Sequence, residues 1–207
     1  MKKIALIFTF MVSIMAAAFQ VGAADFEEGK HYNAIAPQAT DTGDKIEILE
    51  FFWYGCPHCY SFEPYITAWK KNKPANVEFA RVPAIFRPDW EIQARTYYAL
   101  SDMGKIEDVH IKIFEEIHKK RKRLFTREQM VSFLVKQGID KDEFQKHYDS
   151  FSVESMVRKA KKKQQGFRIQ GVPTIAINGK YTTSGSMAGS YENLLKVMDH
   201  LIAVESK

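Results

Sequence analysis

Two cysteines constrain this chain more than any other feature: Cys56-Pro57-His58-Cys59, set directly behind the apolar run Ile46-Glu47-Ile48-Leu49-Glu50-Phe51-Phe52-Trp53-Tyr54. The run is β-branched and aromatic, and it reads as a strand buried on both faces at the centre of a sheet. Pro57 suits the first position of a helix, where its missing N–H costs nothing. A strand that delivers C-x-x-C to a helix start is the redox-site reading of such a pair. A zinc site needs four ligands, and the histidines (His31, His58, His110, His118, His147, His200) are scattered without ligand spacing. No metal is therefore expected. All the cysteine of the chain lies in one tetrapeptide, which also argues against two unrelated core thiols.

The amino terminus gives the pair its compartment. Lys2-Lys3, an apolar stretch from Ile4 to Phe19 and the small residues ending at Ala23 have the layout of a secretory signal peptide. Cleavage is expected after Ala23, with Ala24 a close alternative. Residues 1–23 are thus set aside as signal, and the rest is expected to be exported to the periplasm without stable membrane insertion. Of 30 Lys and Arg against 25 Asp and Glu, the signal takes only Lys2 and Lys3, so a mild positive excess remains. The basic runs Lys119-Lys120-Arg121-Lys122-Arg123 and Lys161-Lys162-Lys163 read as solvated helix ends or faces, and no nucleic-acid partner is expected of an exported chain. In an oxidising compartment a close cysteine pair persists as a disulfide. Its loop is too small to gain much as a staple, so a catalytic pair is the better explanation.

Patterning orders the rest. His31-Tyr32-Asn33 reads as an edge strand, Ile46–Phe52 as the central strand, and a helix follows from Pro57 to about Lys71 across Pro64. Val77–Val82 reads as a second core strand. From Asp89 onward the texture is helical: Asp89 is expected to cap Trp90–Met103, and Ile106, Val109, Ile113 and Ile117 mark one helix face. Thr126-x-x-Gln129 forms a capping box, Asp140-x-x-Glu143 opens another helix, and a last one covers about Val153–Gln165. Pro173–Ile177 and Lys180–Thr183 then read as a hairpin on a type I′ Asn178-Gly179 turn. Ser190 caps a final helix. The order is β-α-β, a helical insertion, then β-β-α.

At the site itself, a sulfur at a helix start meets unpaired N–H groups and the positive dipole end, which favour a thiolate at Cys56. His58 adds a donor and, when protonated, a charge. Thiolate stabilisation makes the disulfide easier to reduce, so the motif points toward donating it. By the two-residue strand period, Glu50 shares a face with Ile46, Ile48 and Phe52; a buried carboxylate there exchanges protons near neutrality. Glu63, one turn past Cys59, is expected to be an exposed helix acid. Phe86, Trp90 and Phe167 are candidates for groove lining or for core.

Glu50-Phe51-Phe52, Cys56-Pro57-His58-Cys59-Tyr60 and Gly171-Val172-Pro173, with the opening Asp25-Phe26-Glu27-Glu28-Gly29-Lys30 and Asn178-Gly179-Lys180-Tyr181, resemble the DsbA family of periplasmic thiol:disulfide oxidoreductases. The likeness runs from end to end of the mature chain and is loosest in the helical insertion; Ile85-Phe86-Arg87-Pro88-Asp89-Trp90 departs from the family's glycine-containing loop. The resemblance implies an α/β thioredoxin-like fold, residues 24–88 and 164–207, with an all-helical domain inserted at 89–163. It implies that Cys56 is attacked by substrate, that Cys59 resolves the mixed disulfide, and that an acid at Glu50 carries protons for Cys59. It implies a cis Val172–Pro173 bond against the disulfide, with the Val172 backbone left to pair with an extended substrate segment. Reduced exported polypeptides, a DsbB-like membrane reoxidant, a monomer and no dissociable cofactor complete the expectation. Two other readings compete. One is a periplasmic reductase or isomerase, although reductases prefer Gly-Pro between the cysteines and the isomerases' added N-terminal domain has no room here. The other is a peptide-binding chaperone with incidental cysteines.

Overall fold

The computed structural model describes residues 26–207; the expected signal peptide and its cleavage site lie outside them. The chain runs β1 (Asn33–Ala34), β2 (Ile46–Phe52), α1 (Pro57–Asn72), β3 (Val77–Pro83), α2 (Glu91–Asp102), α3 (Ile106–His118), α4 (Arg127–Lys136), α5 (Lys141–Tyr148), α6 (Phe151–Gly166), β4 (Thr174–Ile177), β5 (Tyr181–Thr183), α7 (Gly185–Ala188) and α8 (Tyr191–Glu205). The strands form one mixed sheet in the order β1-β5-β4-β2-β3. This is the thioredoxin-like α/β architecture expected, with helices α2 to α6 between β3 and β4.

Every residue of β2 is buried, as its unbroken apolar run requires. It pairs parallel with β3 and antiparallel with β4, so it sits inside the sheet with partners on both edges. Ile46 and Ile48 pack with Phe62 and Ile66 of α1 and Leu201 of α8. Leu49 and Phe51 point the other way, to Ala160 of α6 and to Phe167 and Ile169 beyond it. Phe52 and Tyr54 continue into a third cluster with Phe114 and Val109 of α3 and Leu100 of α2. The helical layer is therefore packed against the end of the strand that carries the cysteines. Full burial of side chains this size stabilises by ~1.5–3 kcal/mol each.

Local signals account for most element ends. Thr126 and Gln129 complete their capping box, and Asp140, Ser150 and Ser190 each accept the backbone N–H three residues on. Asn178 and Gly179 both have positive φ, 47° and 68°, as a type I′ turn demands. A Cβ on Gly179 would lie 2.1 Å from the Gln38 carbonyl oxygen, so no side chain fits there.

Three expectations are corrected. Asp89 caps nothing: Arg87 takes both its oxygens at 3.0 and 2.6 Å, a fork geometry that outcompetes a cap. Residues Pro88–Trp90 form a 3₁₀ turn, and α2 starts at Glu91 without a side-chain cap. The edge strand is Asn33–Ala34, paired antiparallel with β5, while Tyr32 bridges to Glu28. The second basic run is not merely solvated: Lys161 pairs with Glu91 at 2.6 Å, and Lys163 with Asp41 and Glu47 at 2.9 and 3.3 Å. Those pairs tie α6 to α2, to β2 and to the loop before β2. The first run, Lys119–Arg123, is exposed as expected. Among the described residues no helix is long and apolar enough to cross a membrane.

Candidate active site

Cys56 is the N-cap of α1, extended at φ −86° and ψ 116°, and its Sγ accepts the Cys59 N–H at 3.4 Å. Pro57 begins the helix, so the donors nearest the sulfur are those of His58 and Cys59. The Val172–Pro173 bond is cis, and as a thiol Cys56 donates to the Val172 carbonyl at 3.3 Å. β4 starts only at Thr174, so Val172 and Pro173 stand at the sheet's end facing the sulfur. Further bonds fix the helix start. The Tyr191 hydroxyl donates to the His58 carbonyl at 3.0 Å, and His118 Nε2 lies 2.8 Å from the Tyr54 carbonyl while its ring stacks on Tyr60. Gly55 is required by crowding: a Cβ there would meet the Trp53 ring at 2.3 Å. The Trp53 ring in turn stacks on Trp90 at 3.7 Å.

The two sulfurs are driven apart. Hydrogen bonding from the Cys59 thiol, then from the Cys59 and His58 amides, with the His58 charge last, outweighs burial and brings Cys56 down to about 6. Burial and the neighbouring sulfur push Cys59 well above the usual thiol range, and the Glu50 charge pushes it further. The cap amides thus count for more than the histidine side chain, which is exposed.

Beneath Cys59 lies a buried polar chain. Glu50 is 0% exposed, among apolar neighbours as expected, but it has a counter-ion that pattern reading missed. Strand register sets Arg81 of β3 opposite it, and Arg81 Nε donates to Glu50 Oε2 at 2.9 Å. Glu50 Oε1 has no hydrogen-bond partner among the described residues. Glu63 is not the exposed acid expected of it: it is 3% exposed, and both its oxygens accept from Arg81 Nη2, at 3.1 and 3.0 Å. With Cys59, Phe62 and Ile66 it occupies the inward stripe of α1, and that i, i+3, i+4, i+7 spacing is the signal that places it. His110 of α3 lies 3.1 Å from Glu63 Oε1 and 2.8 Å from the Tyr54 hydroxyl. Burial, relieved in part by Arg81 and reinforced by Glu63, raises Glu50 to about 7. Burial raises Glu63 as well. Burial would lower Arg81, but Glu50 and Glu63 overbalance it and hold it protonated.

Of the groove candidates, Phe167 is core, packed on Phe51 at 5.5 Å, and it also lines a cavity. Trp90 is taken up by Trp53, and Phe86, edge-on to Trp90 at 5.4 Å, is 38% exposed. A groove of about 1020 Å³ opens beside the cysteines, lined among others by His58, Ile169, Val172, Pro173, Met187 and Tyr191. Met187 lies on α7, a four-residue element too short for any periodicity to announce.

The lowered Cys56 group has a pH signature. Its folded value lies below its unfolded one, so the stabilisation is fully present above the unfolded value and lost as pH falls through the folded one. Reduced protein is expected to show a thiolate absorbance that titrates near pH 6. Its stability relative to Cys56→Ser should rise between about pH 6 and about pH 9. A titration near 8.5 would contradict this electrostatic account.

Residues 47–198 match the DSBA-like thioredoxin domain family. The thiol:disulfide interchange protein DsbA of Pseudomonas aeruginosa is 42% identical over 203 residues, covering 97% of this chain and 96% of the relative. That of Azotobacter vinelandii is 43% identical over 198 residues, covering 95% and 92%. The crystal structure of Pseudomonas aeruginosa DsbA superposes with a TM-score of 0.84 at 42% identity, over 87% of this chain and 95% of that one. The Xylella fastidiosa oxidoreductase DsbA gives 0.79 at 31% identity, over 87% and 97%.

Proposed function

This chain belongs to the DSBA-like thioredoxin domain family, and from that premise we propose that it is a thiol:disulfide oxidoreductase that donates its Cys56–Cys59 disulfide to reduced exported polypeptides. A substrate thiolate attacks Cys56 Sγ. A substrate–Cys56 bond forms, the Cys56–Cys59 bond breaks, and Cys59 leaves with the electron pair and takes up a proton. A second substrate thiolate then attacks the substrate sulfur and releases Cys56 as a thiolate. The substrate gains a disulfide, and the protein carries away two electrons.

The observation that carries this reading is the opposition of the two sulfurs. Cys56, lowered to about 6, is a good leaving group in the second step, while Cys59, raised well above the usual range, needs a proton in the first. Glu50, raised to about 7, is half-protonated near neutrality and supplies it. Substrate docks as an extended segment along the groove beside Val172 and Pro173. The disulfide has no Cys56 S–H to occupy the Val172 carbonyl, so that carbonyl is available to a substrate N–H.

The reading also takes residues 24–88 and 164–207 as the thioredoxin-like domain around the 89–163 insertion. It sets the protein in the periplasm as a monomer, reoxidised by a DsbB-like membrane protein, with the disulfide itself as the only redox group. Equilibration of purified mature protein with glutathione buffers tests it. A potential well above thioredoxin's, about −270 mV, is expected; a value near that figure would make the protein a reductase.

A further inference from the structure

The buried chain beneath Cys59 holds two carboxylates and one guanidinium, and the hydrogen bonds are shared unequally between the acids. Glu63 receives Arg81 Nη2 on both oxygens and faces His110 Nε2 at 3.1 Å. Glu50 receives one bond, and its Oε1 has none among the described residues. One proton makes such a triad neutral, and the acid with fewer donors is where it rests.

Whether His110 supports that division depends on its tautomer. Nδ1 faces the Tyr54 hydroxyl at 2.8 Å and Nε2 faces Glu63. If Nδ1 carried the hydrogen, bare Nε2 would confront a carboxylate already anchored to Arg81. If Tyr54 donates to Nδ1, Nε2–H donates to Glu63, and Tyr54, His110 and Glu63 are all satisfied. Burial and the Arg81 charge hold His110 well below its ordinary range, so it is neutral and has one hydrogen to place. The other groups bearing on it are Glu107 on its own helix, Lys70 and Glu63 on α1, Arg81 on β3, and the Tyr97 ring of α2 at 6.1 Å.

We propose that His110 is a positioning residue: oriented by Tyr54, its Nε2–H keeps Glu63 an anion and thereby assigns the single proton of the carboxylate pair to Glu50. The inference rests on Glu50 as the proton carrier for Cys59. It also gives the helical insertion a part in the redox step, since His110 is the point where α3 enters this chain of bonds.

The test compares His110→Phe, His110→Asn and His110→Gln with the parent. Phe removes the donor. Asn retains a partner for Tyr54 but is too short for Glu63, and it stands in should the Phe variant not fold. Gln reaches Glu63 with an N–H. In the first two, the proton is expected to move to Glu63, whose neutralisation withdraws one of the charges that raise Glu50. The Glu50-dependent limb of the exchange rate against pH should then shift downward by about one unit, with a several-fold slower reaction at pH 7; Gln should restore both. Infrared spectra of the protonated carboxyl group locate the proton directly. Its band should move with Glu50→Asp in the parent, an exchange that keeps the charge of the pair, whereas in the His110→Phe or His110→Asn background it should move with Glu63→Asp and stay put with Glu50→Asp. A band that stays on Glu50 in those backgrounds, with an unmoved pH profile, overturns the proposal. An unchanged rate for Glu50→Gln alone would instead remove Glu50 from the exchange, while the spectra would still decide what His110 does.

Discussion

Cys56→Ser is expected to reduce disulfide transfer to reduced, unfolded protein to the uncatalysed rate, because the one cysteine left, Cys59, is fully buried and has no partner with which to form a disulfide. Cys59→Ser should behave differently. It leaves the cap sulfur in place, now beside a hydroxyl that donates a hydrogen bond but forms no disulfide. Cys56 then has no internal partner to resolve a mixed disulfide, so adducts with substrate or glutathione should accumulate. Mass spectrometry after acid quench reads that directly. Full activity in the Cys56→Ser variant would move the protein to the chaperone reading, in which both cysteines are bystanders.

Arg81→Met should be strongly destabilising while leaving the cysteines intact. It preserves stem volume but strips the counter-ion from two fully buried acids, and breaking a buried pair by removing one partner costs ~3–5 kcal/mol. The sign with pH is specific. Without Arg81 the carboxyl groups of Glu50 and Glu63 lie further above their unfolded values. The penalty is therefore full above those raised values and shrinks as pH falls toward the unfolded range, ~4.3. Urea unfolding at pH 8 and pH 5 should show a large deficit at the first and a small one at the second. Equal deficits would mean that Arg81 contributes packing, with its charge unimportant.

These cases mark how far the sequence could be read. The strand Ile46–Phe52, the helix start at Pro57, the Thr126 box, the Asn178-Gly179 turn and the burial of Glu50 are local: each follows from a period or from residues a few positions apart. Arg81 is different. It lies 31 residues from Glu50, and only the β2–β3 register brings the two together, so a shift of one residue would have turned Arg81 to the other face. Glu63 and His110 sit on the inward stripes of their helices, where spacing marks them as buried. What they meet there depends on how the helical layer packs against α1, which no single helix specifies. Asp89 shows the converse failure, since its capping signature was sound and a neighbouring arginine took the carboxylate.

The sulfur that performs the chemistry also closes the end of a helix. Whenever Cys56 is lent to a substrate, the first turn of α1 must share or surrender its terminator, and it recovers it when the product leaves. Fraying at that end is thus coupled to the redox cycle: amide hydrogens near Cys59 exchange slowly while the anion is home and faster while it is engaged elsewhere, so the backbone itself keeps time with turnover.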